Sequence, residues 1–243
     1  RDDLVARRDR VEVCVLEQHR RALAIFERTI GANTMEAGYT LANMGNIHNR
    51  LGDPSAALAS TLRAREALTQ ALGPEDPRTI TLGGNIGQFH RKLGQLDEAR
   101  SALQATIDAL TRIDAKHPEL PNNFDRLGLV ELDAGDCERS LSHHERAFAL
   151  ATELSLPPFT LAYQQLNMGI ALDCLGRFDD AIPQLERARD TWIARGESSA
   201  AQRANAELAL AGALVGAGRA AEALAQAQSV LRACDASTCD DLR

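Results

Sequence analysis

The chain has 243 residues, a formal net charge of −7, and 44% hydrophobic but only 4% aromatic residues. Its pI near 5.4 speaks against a nucleic-acid backbone as the main partner, because phosphate binding favours a basic stripe. No apolar run approaches the roughly 20 residues of a membrane span, no signal peptide is visible, and a cytoplasmic location is expected.

The sequence predicts eleven helices. The first runs over about residues 5–30. Five pairs follow, at about 36–51 and 54–72, 78–93 and 96–113, 119–134 and 137–154, 159–175 and 178–195, and 199–216 and 219–234. The breakers Gly73-Pro74, Asp76-Pro77, His117-Pro118 and Pro157-Pro158 separate the pairs. Pro183 falls within about a turn of a helix start, where a missing amide matters least. A composition rich in Ala and Leu suits such closely packed helices.

A period orders the pairs. Gly52, Gly94, Gly135, Gly176 and Gly218 follow one another at steps of 42, 41, 41 and 42 residues, and a fixed period of this size marks a repeat architecture. Seven positions before each stands a small residue: Gly45, Gly87, Gly128, Gly169 and Ala211. Five positions after each stands another: Ala57, Ala99, Ser140, Ala181 and Ala223. A third set follows at Ala64, Thr106, Ala147 and Ala188, broken by Val230. Glycine inside a helix costs about 1 kcal/mol relative to alanine. Its recurrence points to two helix backbones in close approach, where a side chain would overpack the contact. The spacing glycine fits the turn between the helices, in a left-handed conformation.

This scheme resembles the tetratricopeptide repeat. It reads Met44-Gly45, Gly52, Ala57, Ala64 in the first unit, then Ile86-Gly87, Gly94, Ala99, Thr106 in the second. The later units read Leu127-Gly128, Gly135, Ser140, Ala147, then Met168-Gly169, Gly176, Ala181, Ala188, and last Leu210-Ala211, Gly218, Ala223, Val230. The beat exceeds the family's usual period of about 34 residues. With links such as Ala71-Leu72-Gly73-Pro74-Glu75-Asp76-Pro77-Arg78-Thr79, it resembles the kinesin light chain subtype. Arg21-Ala22-Leu23-Ala24-Ile25 resembles that subtype's second helix, so the chain opens with half a repeat. The resemblance implies an all-α fold, a right-handed α-solenoid of stacked antiparallel helix pairs. Its parts are an N-terminal half repeat at 1–33, units at about 34–75, 76–117, 118–157, 158–197 and 198–235, and a flexible tail at 236–243. The chain starts at Arg1 without Met, and a larger parent protein is expected.

Catalytic and metal signatures are missing. The five cysteines, Cys14, Cys137, Cys174, Cys234 and Cys239, read as reduced thiols. Cys234 and Cys239 are near enough in sequence to bridge, but their spacing fits no zinc knuckle. His143 and His144 are adjacent, so on a helix they point about 100° apart and read as solvated surface histidines. His48 and His90 recur at equivalent sites where the helices of a pair meet, which reads as packing. Gly83-Gly84-Asn85-Ile86-Gly87 does not continue into a phosphate loop. No nucleophile elbow stands out, and Asp179-Asp180 suits a helix start. The chain is therefore expected to be no enzyme and to carry no catalytic residue, metal or cofactor.

A surface remains. In the tetratricopeptide family the first helix of each pair lines the concave face. That face is expected to show Tyr39, Asn43, Asn46, Asn49 and Arg50, then Thr81, Asn85, Gln88, Arg91 and Lys92. The later units add Asn122, Asp125, Arg126 and Asp133, then Tyr163, Asn167 and Asp173, then Asn205, Leu208 and Gly212. Asn43, Asn85 and Asn167 share one repeat position, and an amide that donates and accepts at once can clamp a peptide backbone. The alternative is that these asparagines cap or bridge neighbouring helices. Arg50, Arg91, Lys92 and Arg126 make the early groove basic, while Asp125, Asp133 and Asp173 make the later part acidic, which would orient a charged peptide. Asn46, Asn85 and Arg126 match a two-carboxylate clamp known in the family, but Ala42 and Asn122 stand where its lysines belong.

The function expected is a non-catalytic protein–protein interaction scaffold that binds a peptide or partner segment, an acidic one among the candidates, with no nucleic acid and no membrane as partner. The alternative is a regulatory region of a multidomain bacterial signalling protein, such as a serine/threonine kinase or transcription regulator. The last hairpin is apolar at Leu208, Leu210, Leu214 and Leu224. Terminal repeats usually carry a polar cap, so a homodimer through this hairpin is a further expectation.

Overall fold

The computed structural model describes residues 2–196 and 199–234, with side chains placed for 10–196 and 199–228. Among the described residues there are eleven α-helices and no strand. The first five are α1 (Asp2–Thr29), α2 (Met35–Arg50), α3 (Pro54–Leu72), α4 (Pro77–Lys92) and α5 (Leu96–Ile113). The rest are α6 (Leu120–Asp133), α7 (Cys137–Glu153), α8 (Pro158–Cys174), α9 (Phe178–Arg195), α10 (Ala200–Gly216) and α11 (Ala220–Cys234). The expected tail at 236–243 lies outside the described residues. The chain divides into two compact units, residues 1–119 and 120–243.

The turns within the pairs follow from the spacing glycines. Gly52, Gly94, Gly135, Gly176 and Gly218 all have positive φ, between 70° and 81°. The residue after each then donates its amide to the helix it leaves: Asp53 to His48, Gln95 to His90, Asp136 to Glu131, Arg177 to Leu172 and Arg219 to Leu214, at 2.8–3.0 Å. This six-to-one closure satisfies a carbonyl that the helix end would otherwise leave open. Asp53 and Asp136 also start the next helix, accepting from the amides of Ala56 at 2.9 Å and Arg139 at 3.0 Å. Such a cap contributes about 1 kcal/mol.

In the first unit, a Cβ at Gly38 would meet Leu68 and one at Gly45 would meet Thr61, so α2 and α3 run antiparallel. A Cβ at Gly87 would lie 2.5 Å from Leu103 Cγ and 3.2 Å from the Ala99 carbonyl oxygen, which sets α4 equally close to α5. Leu16 and Leu23 of α1 join Leu41, Ile47 and Leu68 in the buried core. Hence α1 packs against the first helix pair.

The second unit repeats this order. Leu166, Leu172, Leu185, Trp192, Leu210 and Leu214 form its core from α8, α9 and α10. Fully burying a side chain of this size contributes about 1.5–3 kcal/mol. Pro183 is the sixth residue of α9 rather than part of its first turn, yet the helix continues to Arg195.

The two classes of helical glycine predict opposite responses. Gly87→Ala should lower unfolding free energy by about 1–3 kcal/mol, the usual cost of overpacking. Gly212→Ala, where an added Cβ meets nothing within 4 Å, should raise it by about 0.5–1 kcal/mol through helix propensity. Urea titration followed by circular dichroism checks both signs.

Candidate functional site

The expected surface is the outward face of each first helix. In the first unit Tyr39, Asn43, Asn46 and Arg50 are exposed on α2, with Asn49 half-buried. On α4, Asn85, Gln88 and Arg91 are half-buried and Lys92 is exposed. Several of these side chains already have partners. The Arg50 guanidinium donates twice to Glu12 of α1, at 2.7 and 2.8 Å. Lys92 Nζ donates to Asn49 Oδ1 at 2.6 Å. Arg78 donates to the Tyr39 hydroxyl at 3.4 Å and is paired with Asp76 at 2.8 Å. That pairing holds the Asp76 carboxyl down at about 2. The basic stretch expected here is thus partly neutralised within the chain. Residues 1–119 carry 16 Lys and Arg against 16 Asp and Glu, whereas residues 120–243 carry 11 against 18.

In the second unit, Asn122 and Asp133 are exposed on α6, and Asp125 and Arg126 are half-buried. Asn167 of α8 donates its amide to Asp125 Oδ1 at 2.9 Å, one repeat back. One amide hydrogen therefore bridges neighbouring helices, as the alternative reading of this row required. Tyr163 packs edge-on against Trp192, with ring centroids 4.7 Å apart, and its hydroxyl accepts from Gln202 at 3.3 Å. Between α8 and α10 lies a cleft of about 470 Å³ lined by Leu166, Asn167, Ile170, Asp173, Asn205, Leu208, Ala209 and Gly212. Five of these eight were expected on the groove face. Leu166, Ile170 and Ala209 were not, although Leu166, Ile170 and Asp173 fall at the i, i+4, i+7 spacing of one helix face.

Residues 77–153 match the family model described as tetratricopeptide repeat. Over those residues, about a third of the chain, the sequence is similar to that family. No curated protein matches the chain by sequence. Among solved structures it is similar to BtubC (BKLC) from P. vanneervenii, with a TM-score of 0.74 at 16% identity over 95% of this chain and 91% of that one. It is also similar to the nearly identical TPR-like repeats of a Podosopora anserina protein described as a kinesin light chain, with a TM-score of 0.66, 18% identity, and coverage of 83% and 96%. A third is a Rap protein in complex with competence and sporulation factor, with a TM-score of 0.69 at 14% identity over 80% of this chain. The chain spans 53% of that Rap protein's length. At these identities the likeness is one of fold.

Two readings of the sequence are corrected. His144 is not a solvated surface residue: its side chain is 0% exposed, with Nδ1 2.9 Å from Asp125 Oδ1. It lies 16 residues after Gly128, the spacing that sets Leu103 against Gly87 and Leu185 against Gly169, and a Cβ at Gly128 would meet its ring at 2.6 Å. His143 is half-buried and stacks on Phe124, with centroids 6.3 Å apart. The cysteines are not all separate thiols either. Cys137, the first residue of α7, and Cys174, the last of α8, form a disulfide with Cα atoms 6.0 Å apart, within the ordinary range for such a bond. Cys14 is free and exposed, and the Cys234–Cys239 pairing lies outside the described side chains.

The packing role expected of His48 and His90 agrees with the structure. Both are half-buried, and His90 Nδ1 lies 2.7 Å from Gln95 Oε1 across the turn. Among the described residues no group of acidic, histidine or cysteine side chains could hold a metal, and no helix is long and apolar enough to cross a membrane. In the last hairpin Leu210 and Leu214 are buried, while Leu208, Val215 and Leu224 are 60–65% exposed.

Burial lowers the pKa of both His48 and His143 from the ordinary value of 6.5, against smaller opposing effects of Asp53 on the first and Glu131 on the second. The folded chain therefore binds these protons less readily than the unfolded one. The stability they contribute is present above pH 6.5 and is lost as pH falls through that value toward the lower folded pKa. Unfolding free energy should fall as buffer is taken from pH 7.5 to pH 5.5, and His48→Gln with His143→Gln should flatten that slope.

Proposed function

We propose that this chain is a non-catalytic scaffold that holds a peptide or partner segment on the outward faces of its first helices. The family supports a protein–protein interaction scaffold in general. The observation that supports the finer reading is the cleft between α8 and α10. It opens on that face, and Asn167, Asp173 and Asn205 bring polar groups to an apolar floor of Leu166, Ile170 and Leu208. Ligand pockets in general combine apolar lining with a few placed polar groups in this way. Asn43, Asn46, Asn49, Arg50, Asn85, Gln88, Arg91, Lys92, Arg126, Tyr163 and Asn167 are the proposed contact residues. The Rap protein whose fold it shares was solved with a bound factor, which makes capture of a short segment reasonable on this architecture. A regulatory region of a longer signalling protein is the second reading. It draws on the aspartyl phosphate phosphatase F of Bacillus subtilis, of which this chain spans 54%.

The test is selection of a peptide from a displayed random library, followed by affinity measurement with the selected peptide. Asn85→Ala in the first unit and Asn167→Ala in the second are measured separately. The substitution on the binding face should weaken the peptide about fivefold to tenfold, the effect of one or two lost hydrogen bonds, with helicity unchanged. Unaltered affinity in both variants removes the asparagine row from the site.

A further inference from the structure

The cleft between α8 and α10 holds an anion that no described residue pairs with. Asp173 lines the cleft beside Ile170 and Leu208. Among the described residues no hydrogen bond or ion pair engages its carboxylate, and burial raises its pKa. Two acids on the flanking helices are already engaged: Asp125 accepts from Asn167 and His144, and Glu207 accepts from Arg203 at 3.2 Å. Leu208 is an aliphatic side chain 65% exposed at the same cleft. Asn205 is exposed on α10, and Asn167 keeps its side-chain carbonyl for an outside donor. The site thus offers an apolar contact and an uncompensated negative charge side by side.

We propose that this cleft takes a segment of a partner protein in which an aliphatic side chain stands beside a lysine or arginine, the aliphatic group resting on Ile170 and Leu208 and the cation on Asp173. The inference rests on the peptide-binding reading above and names the chemistry of its ligand. Charge argues for this occupant over a second copy of the chain. Residues 120–243 carry 11 Lys and Arg against 18 Asp and Glu, so two such units repel, whereas a cationic segment is drawn in. Apolar contact alone would not select among partners. A carboxylate in a partly desolvated cleft rejects an acidic ligand as well as favouring a basic one, and discrimination of that kind gives specificity.

The test uses three synthetic nine-residue peptides in a Gly-Ser background, with central triplets Lys-Leu-Lys, Glu-Leu-Glu and Lys-Gly-Lys. Binding to the whole chain is followed by two-dimensional amide NMR at low salt. The Lys-Leu-Lys peptide should bind at least fivefold more tightly than either control and shift the side-chain amide signals of Asn167 and Asn205. Asp173→Asn should reduce its affinity about fivefold, and Leu208→Ser should reduce it as well. Glu145→Gln, which removes the same charge from an exposed site on α7, should leave it unchanged. Circular dichroism of each variant confirms folding. Absence of binding, equal affinity for Glu-Leu-Glu, or equal losses from Asp173→Asn and Glu145→Gln overturns the inference. So does a dimer seen by light scattering that Leu208→Ser converts to monomer. The broader scaffold reading fails separately, when the displayed library yields no peptide that binds the chain.

Discussion

The first four hairpins of this protein each depend on a glycine whose absent Cβ leaves room for one side chain of the returning helix. At Gly87 the space is filled by Leu103, and at Gly169 by Leu185. Once that contact is set, the rotational phase of both helices is fixed, because a helix turns about 100° per residue. The face opposite the contact must then look outward. The outward positions of the first helices are where the asparagines, the tyrosines and Asp173 lie. The surface on which partner binding is proposed is thus a consequence of backbone packing several residues away.

The third hairpin shows how far the contact tolerates variation. His144 occupies the position of Leu103 and Leu185, and it is the one polar ring buried against a helical glycine among these pairs. A buried imidazole requires a partner, and Asp125 supplies one on the neighbouring helix. Asp125 in turn accepts from Asn167 one repeat later. A core substitution on α7 is in this way linked to a groove residue on α8. Asn167 is held in place by this chain, which suits a contact residue better than a free rotor, since less side-chain freedom is lost on binding.

Charge is distributed unevenly over a regular scaffold. The excess of acidic residues lies wholly within residues 120–243, and in the first unit Arg50 is neutralised by Glu12 of the N-terminal helix. An exposed pair of this sort adds little stability, about 0–1 kcal/mol. Its effect is rather on the potential seen by an approaching partner. Repeats built to one plan can therefore present different electrostatic faces, because the plan constrains the small packing positions and leaves outward positions open.

The sequence by itself determined the period, the turns and the bounds of the helices to within a few residues. These rest on short-range physics: a positive φ that only glycine adopts cheaply, and packing positions a fixed number of residues apart. It also identified Asn167, Asp173, Asn205, Leu208 and Gly212 as sharing a face, because helical phase follows from the glycines. The burial of His144 was legible as well, through its spacing from Gly128, but adjacency to His143 obscured the signal. Only the tertiary structure decided which outward residues are already engaged. The Arg50–Glu12 pair, the Asn167–Asp125 bridge and the Cys137–Cys174 disulfide join residues 37–42 apart on different helices. Such contacts depend on how successive helices stack and which rotamers their side chains adopt, and no local pattern in the chain encodes either.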